Sequence, residues 1–338
     1  MSPLVSVVLP VFNEEQRVGA AVRSILAQSF PNFELLVVDD GSTDATPARL
    51  AEIRDPRLHV LRLDPNGGRA AAKNHALDRA RGTYVAFMDG DDEAVPHRLD
   101  VQVAFLEAHP DVDILGSALR TMGGPRSEVW RPRPDHPHIQ AEFLISCAVY
   151  GATAMVRRAF LEQHAIRFVP GHYVEDYEMW TQVLHTARFA NQPDVLLNHH
   201  FVPEDREEDT RAKQEAIAPV SLAQLRGMGL APTARQQQLH SALCRPAGYH
   251  LESDADVHDC IEWVDTLTAQ NRAQGGYDDA ALADVLDQRM VEILAPVPGH
   301  RRALARRVVD SPFVRRRLRH SVQVRARDTW TRMRRALR

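Results

Sequence analysis

The chain has 338 residues, more than one average domain, and its 44% hydrophobic and 25% charged content is that of an ordinary globular protein, not a disordered one. The formal net charge of −4 conceals a split: residues 301–338 carry 14 Arg against Asp310 and Asp328, a net of +12, while the rest holds 27 basic and 43 acidic residues, a net of −16. The longest nearly polar-free run, residues 144–156, is too short to span a bilayer, and three scattered cysteines (Cys147, Cys244, Cys260) exclude a disulfide framework or a cysteine-held zinc.

The chain opens on Met1-Ser2-Pro3-Leu4, which carries no basic stretch and passes directly into a strand, so no signal peptide and a cytoplasmic setting are expected. Residues 5–9 are a short apolar run ended by Pro10 and predict a strand. Over 14–28 the apolar positions 18, 21, 22, 25 and 26 share one helical face. A second strand is expected at 33–38, then a helix at 43–53 with cap oxygens from Ser42, Thr43 and Asp44. Strand 58–63, an Ala-rich helix 69–81, strand 84–88 and a helix 96–109 with Pro96 in its first turn follow. Strands alternating with helices predict a parallel sheet covered on both faces. Residues 119–150 read as loops around one helix at 139–145, near a second substrate. Then come a strand at 152–156, a helix at 175–186 and a last strand at 195–199. The organisation expected is an α/β domain over 1–205, a charged linker over 206–232, and a helical C-terminal region over 233–338. That region ends in a basic amphipathic helix at 312–337, suited either to packing on protein, including a second subunit, or to an anionic membrane surface. Nucleic-acid binding is not expected, because the acidic body opposes it.

The chemistry-bearing groups collect at predicted strand ends. Asp89-Gly90-Asp91-Asp92 places three carboxylates directly after an apolar strand, where their repulsion calls for a cation. A hard divalent ion on phosphate oxygens, Mn²⁺ or Mg²⁺, suits that chemistry. The loop Pro10-Val11-Phe12-Asn13-Glu14-Glu15 offers amides and a helix start to an anion or a base. Asp39 either accepts from a nucleobase or belongs to a strand-ending turn. Gly67 and Gly68 allow close backbone approach, and Arg69 and Lys73 either face phosphate or are solvated. Glu175 and Asp176 open a helix, as favourable helix-end charges or with Asp176 as a general base. Trp180 is either core or a sugar platform, and His199 either a metal ligand or a hydrogen-bonded histidine.

Together these segments resemble the family 2 glycosyltransferases of GT-A fold, a Rossmann-like nucleotide-diphospho-sugar transferase architecture. The resemblance spans about residues 4–205 and rests on Pro-Val-Phe-Asn-Glu-Glu from Pro10, Val-Val-Asp-Asp-Gly-Ser-Thr-Asp from Val37, and Ala72-Lys73-Asn74. It continues through Phe87-Met88-Asp89-Gly90-Asp91-Asp92 with Pro96, Arg98 and Leu99, then Met155-Val156-Arg157-Arg158 and Glu175-Asp176-Tyr177-Glu178-Met179-Trp180. The resemblance implies an inverting, metal-dependent hexosyltransferase acting on a nucleotide-diphosphate sugar, a UDP-sugar first, and on a glycan or lipid-linked acceptor in cell-surface polysaccharide synthesis. It implies donor contacts from Pro10, Phe12, Asn13, Glu14, Asp39, Gly68, Arg69, Lys73, Asp89 and Gly90. It further implies metal ligation by Asp91 and Asp89 with His199 as a candidate, a base in Asp176, and an acceptor side at Glu175 and Trp180. Two departures stand out: Lys73 where the family usually has arginine, and Asn198-His199-His200 where it often has Tyr-Arg. Residues 256–294 look like a helical extension of some bacterial members. The rival readings are a sugar nucleotidyltransferase, disfavoured by the first loop's lack of a Gly-rich Arg/Lys sequence, and a non-catalytic sugar- or polymer-binding relative.

Overall fold

The computed structural model describes residues 2–124, 127–171, 173–200, 206–244 and 253–294. They fall into two compact units divided between Gln224 and Leu225.

The first unit is built on one nine-stranded sheet. Its elements run β1 (Val5–Val11), α1 (Val18–Leu26), β2 (Phe33–Asp39), α2 (Thr46–Ala51), β3 (Leu58–Arg62), α3 (Arg69–Leu77) and β4 (Tyr84–Phe87). Then come β5 (Glu93–Ala94), α4 (Arg98–Ala108), β6 (Ile114–Met122), β7 (Val129–Trp130), α5 (His136–Glu142), β8 (Met155–Arg157), α6 (Arg158–Gln163), α7 (Glu175–Gln182) and β9 (Phe189–His200). The strand order is β3-β2-β1-β4-β8-β6-β9-β5, with β7 added to β6. β3, β2, β1 and β4 are mutually parallel, whereas β8 is antiparallel to both β4 and β6.

The chain order reverses around β1, which lies between β2 and β4, so the C-terminal ends of these strands frame the crevice where open α/β sheets bind ligands. β1 and β2 are buried along their whole length because helices cover both faces. Val5, Val7, Leu9, Leu35 and Val37 pack in one cluster with Val18, Ala21, Val22 and Ile25 of α1. The alternate positions face the other way, toward α3, which packs on β1 and β2.

At the opposite end of the strands a buried polar group is fully served. Glu34 accepts from Ser6 Oγ at 2.7 Å and from the Arg81 backbone N–H at 2.9 Å, and its second oxygen takes the Arg81 guanidinium. Burial opposes its ionisation, yet the hydrogen bonds from Arg81 and Ser6 hold the carboxyl below the usual range.

Several elements depart from the sequence reading. β6 was expected to be loop from residue 119; Gly116 and Ser117 break its β-branched pattern, yet it is almost wholly buried between β8 and β9. β9 begins at Phe189, not at residue 195, because its first half pairs with β6 through a register shift that absorbs Pro193 and Asp194. Helix α1 starts late, at Val18, because the preceding loop is bound elsewhere. The Asn13, Glu14 and Glu15 amides donate to Ser42 Oγ, Thr46 Oγ1 and Asp44 Oδ2 at 2.9, 2.8 and 3.1 Å. In return Asn13 Oδ1 and Glu15 Oε2 accept from the Thr43 and Ala45 amides, each at 2.9 Å. The expected cap oxygens of α2 therefore clasp the β1 loop to the β2 loop.

Where a linker was expected over 206–232, a 22-residue helix α8 (Arg206–Gly227) runs instead. The second unit holds α9 (Ala234–Cys244), α10 (Asp254–Gln274) and α11 (Asp279–Leu294) around Leu239, Trp263, Leu267, Leu282 and Leu286. α10 opens on a reciprocal Ser253–Asp256 capping box and ends at Gly275, whose φ is 77°. The basic helix expected at 312–337 lies outside the described residues. Among the described residues no helix is long and apolar enough to cross a membrane.

Gly82 turns the chain into β4 with no room for a side chain: a Cβ there would stand 2.5 Å from the Ser6 nitrogen and 2.8 Å from the Val5 carbonyl carbon. Both are strand backbone and cannot move aside. Gly82→Ala is expected to lower unfolding free energy by about 1–3 kcal/mol, read as a reduced urea midpoint at unchanged m-value.

Candidate active site

Four loops bring carboxylates to the C-terminal rim of the sheet. The turn after β4 approaches β1 so closely that a Cβ on Gly90 would meet Val11 Cγ1 at 2.5 Å and the Pro10 carbonyl oxygen at 3.0 Å. Glycine at this position seats Asp89, Asp91 and Asp92 against the end of β1. Beside them the clasped loop holds Asn13 at φ 54° and leaves the Phe12 ring 44% exposed.

The electrostatics of this turn are those of crowded anions. Burial and then its neighbours Asp92 and Asp89 push the Asp91 carboxyl up to about 6. Glu14, across the clasp, is pushed to about 7 by burial and then by Asp91. Asp92 is fully buried and also raised by burial; its Oδ1 pairs with His199 Nδ1 at 2.9 Å and accepts the His200 amide at 3.1 Å. For His199, burial disfavours the charged ring, but the hydrogen bond to Asp92 outweighs it and the pKa rises. Beneath the turn lies Arg98, fully buried, bonded to the Phe87 carbonyl at 2.7 Å and to Gln102 Oε1 at 3.0 Å. Burial pulls its guanidinium down to about 10, with Asp92 and Asp89 acting in the opposite sense.

Two buried oxygens here, Asp89 Oδ1 and Asp92 Oδ2, have no hydrogen-bond partner. Orphaned carboxylate oxygens beside raised carboxyl pKa values suit a hard divalent cation. Among the described residues, no three His, Cys, Asp or Glu side chains stand close enough together to hold an ion unaided. The donor set therefore fits a cation that completes its shell with phosphate oxygens and water, as Mg²⁺ commonly does.

The second half of the site is built around Lys73. This lysine, on α3, is 2% exposed and places Nζ 3.0 Å from Glu175 Oε1 and 3.7 Å from Asp89 Oδ1. Burial works against the ammonium, but Asp89 and Glu175 overcome it and its pKa is raised. Asp89 shows the converse, with Lys73 and Arg69 outweighing burial to lower its pKa. Glu175 and Asp176 begin α7. Asp176 Oδ2 accepts the Gly151 amide at 3.1 Å and Oδ1 its neighbour Tyr177's amide at 2.8 Å. Burial and the adjacent Glu175 raise the Asp176 carboxyl, a direction suited to accepting a proton.

The rim thus carries a cation-ready carboxylate turn and, tied to it through Lys73 and Glu175, a helix start with a raised carboxyl. A family model described as glycosyl transferase family 2 matches residues 6–165, the segment holding the clasp, the β4 turn and Lys73. The chain belongs to this family.

The putative glycosyltransferase EpsE of Bacillus subtilis is 34% identical over 184 residues, 53% of this chain and 66% of that one. The UDP-Glc:alpha-D-GlcNAc-diphosphoundecaprenol beta-1,3-glucosyltransferase WfgD of Escherichia coli is 29% identical over 189 residues, 54% of this chain and 70% of that one. The chain thus spans about two thirds of these curated relatives. Among solved structures, the mannosyltransferase PcManGT from Pyrobaculum calidifontis, in complex with GDP-Man and Mn²⁺, superposes with a TM-score of 0.56 at 21% identity. That match covers 87% of this chain and 88% of that one, and it shows a shared GT-A fold.

Within this family 2 domain several of the expected contact residues have partners inside the protein. Asp39 does not present a free carboxylate: it accepts the Ser42 amide at 2.9 Å and is ion-paired to Arg62. It lines a cleft of about 370 Å³ between α2 and β3, with Leu50 and Val60 among its neighbours. Strand alternation sends the next residue, Asp40, to the opposite face, where its two oxygens accept the Gly67 and Gly68 amides at 2.8 Å each. Gly68 thus spends its N–H on Asp40, not on phosphate. Lys73 is buried among carboxylates and so is withdrawn from a donor phosphate, whereas Arg69, with a half-exposed side chain 3.9 Å from Glu175, keeps its access. Glu175 is buried on Lys73 and has no surface for an acceptor. Trp180 is fully buried, donates Nε1–H to the Val149 carbonyl at 3.1 Å and packs edge-on to Phe87, so it is core and no sugar platform. Sequence reasoning missed Asp40, legible from strand alternation, and Gly151, whose role no local pattern announces.

A Cβ on Gly151 would stand 2.9 Å from both Asp176 Cβ and Oδ2. Gly151→Ala is expected to displace Asp176 and lower kcat about 100-fold, with nucleotide-sugar binding retained in a thermal-shift assay. Equal loss of binding and turnover would show that Gly151 serves the fold alone.

Proposed function

We propose that the protein is an inverting, divalent-metal-dependent glycosyltransferase that moves a sugar from a nucleotide diphosphate to a hydroxyl of a glycan or lipid-linked acceptor. The observation that carries this reading is the Lys73 bridge. It sets the carboxylate turn and the Asp176 helix on one rim, 3.7 Å and 3.0 Å from a single ammonium. A leaving diphosphate and an attacking hydroxyl need those two chemistries side by side.

Asp91, with Asp89, would hold Mn²⁺ or Mg²⁺ against the donor's diphosphate, where the cation supplies Lewis-acid stabilisation of the leaving group. Arg69, half exposed beside the same turn, adds positive charge on the phosphate side. Phe12 and the clasped loop offer an apolar face and backbone to the nucleoside end. On the other side, Asp176 takes the proton from the acceptor hydroxyl as its oxygen attacks the anomeric carbon and the bond to the diphosphate breaks. A single base with no second enzymic nucleophile gives inversion. The Gly151 and Tyr177 amides hold the Asp176 carboxylate in place. Burial with Glu175 alongside raises its affinity for that proton. WfgD's use of UDP-Glc and a diphosphoundecaprenol-linked GlcNAc supports a UDP-sugar donor and a lipid-diphosphate acceptor, and with them a role in cell-surface polysaccharide synthesis.

A thermal-shift screen of UDP-, GDP- and dTDP-sugars with and without Mn²⁺ tests the donor side, since a ligand that binds only the folded state raises Tm. At least one nucleotide sugar is expected to raise Tm only with the metal, and Asp91→Ala to remove that shift. No shift with any donor would overturn the reading.

The base is tested separately. Asp176→Asn is expected to keep the donor shift and to lower turnover, followed as nucleotide-diphosphate release, by at least about 100-fold. Full turnover in this variant would remove Asp176 from its role.

A further inference from the structure

The tryptophan that the sequence nominates for an acceptor contact, Trp180, is buried, while another stands at the surface of the same unit. Trp130 on β7 is 38% exposed and, with Phe12 and Val60, is one of three large exposed hydrophobic residues among those described. Val60 lies on the edge strand β3 and Phe12 at the end of β1, whereas Trp130 heads a group of rings. Its ring centroid is 5.9 Å from Tyr150, with planes at 47°, and 6.5 Å from His199, with planes at 42°. The sheet explains the grouping. Trp130 pairs opposite Leu119 of β6, and His199 opposite Thr121 of the same strand, so the two rings meet across β6.

Both neighbours of Trp130 are tied to the reaction centre. His199 Nδ1 lies 2.9 Å from Asp92, in the carboxylate turn. Tyr150 immediately precedes Gly151, whose amide holds Asp176 Oδ2 at 3.1 Å. The rings therefore line the rim from the cation side to the base side. A pyranose has an apolar face of C–H groups and a polar edge of hydroxyls. Aromatic rings suit the former, and a few convergent polar groups suit the latter. The donor end of the crevice is occupied by the clasp and Phe12, which leaves this stretch to the second substrate.

We propose that Trp130, flanked by Tyr150 and His199, is the platform on which a pyranose ring of the acceptor stacks, presenting its hydroxyl to Asp176. This assignment rests on the transferase reading above and names the substrate class on its acceptor side. Trp130 fixes acceptor affinity and orientation and takes no part in donor binding.

The test is ligand-detected saturation-transfer NMR on the full chain with the methyl α- and β-glycosides of glucose, galactose, mannose and N-acetylglucosamine. At least one glycoside is expected to show saturable transfer, strongest at its ring C–H protons. Trp130→Ala should weaken this binding about tenfold, the scale of one aromatic contact, and Trp130→Phe should retain most of it. The Mn²⁺-dependent donor shift should be the same in all three proteins. If Trp130→Ala folds poorly, Trp130→Leu takes its place, keeping bulk and removing the flat face. Binding of no glycoside by the wild type, or undiminished binding by the alanine or leucine variant, overturns the platform. Since the titration needs no donor, its failure is separable from failure of the transferase reading, which the donor screen alone decides.

Discussion

The site depends on one buried cation. Lys73 has almost no contact with water, and its ammonium is shared between Glu175, 102 positions later in the chain, and Asp89 at the end of β4. Its ammonium also lies over the Phe168 ring, 5.2 Å from the ring centroid. A buried ion pair of this kind contributes little net stability, because removing both charges from water offsets most of their attraction. Breaking it is costly, by about 3–5 kcal/mol, because the remaining charges stay buried and unpaired. The pair therefore acts as a locator. It ties the start of α7, and with it Asp176, to the β4 turn.

Much of this was legible in the sequence, and what was not has physical causes. The parallel half of the sheet could be read because β1, β2 and β4 are short apolar runs, buried on both faces and ended by polar groups, with β3 as a partly exposed edge strand beside them. The other half was read only in part: strands were expected at 152–156 and 195–199, where β8 and the end of β9 lie, but β6 and the first half of β9 were not. β6 contains Gly116 and Ser117, and the first half of β9 runs into Pro193, so neither stretch has the pattern of a strand until the two pair with each other. Helix starts were misplaced where cap residues had a different task, as at Ser42 and Asp44, whose oxygens serve the neighbouring loop. Residue types at the site were found more readily than their orientation. Asp39 and Asp40 are equivalent on paper, and only the alternation of β2 assigns one to Arg62 and the other to the start of α3.

The same distinction explains the lysine and the tryptophan. A base near phosphate-binding glycines suggests a phosphate contact, yet Lys73 faces inward because the α3 face that carries it packs on β1 and β2. Arg69, one turn earlier, remains at the surface with the more exposed guanidinium. Trp180 suggests a sugar platform because it follows Glu175 and Asp176 on α7. Four residues beyond Asp176, however, it faces the core, and Phe87 and the Val149 carbonyl receive it.

The division of labour across the crevice follows from which loops are locked. At the end of β1, the clasp of backbone amides on side-chain oxygens fixes the loop of residues 13–15, and glycine at position 90 lets the β4 turn approach it. Such preorganisation suits the proposed grip on a diphosphate and its cation, which must recur in the same way at each turnover. The opposite side is built from β7, only two residues long, and from the chain around Tyr150, with aromatic surface in place of buried ion pairs. Surface of this kind distinguishes one sugar from another by shape and hydroxyl placement without altering the donor grip. On the proposed assignment, a change at Trp130 would alter acceptor preference while leaving the carboxylate turn and Asp176 as they stand.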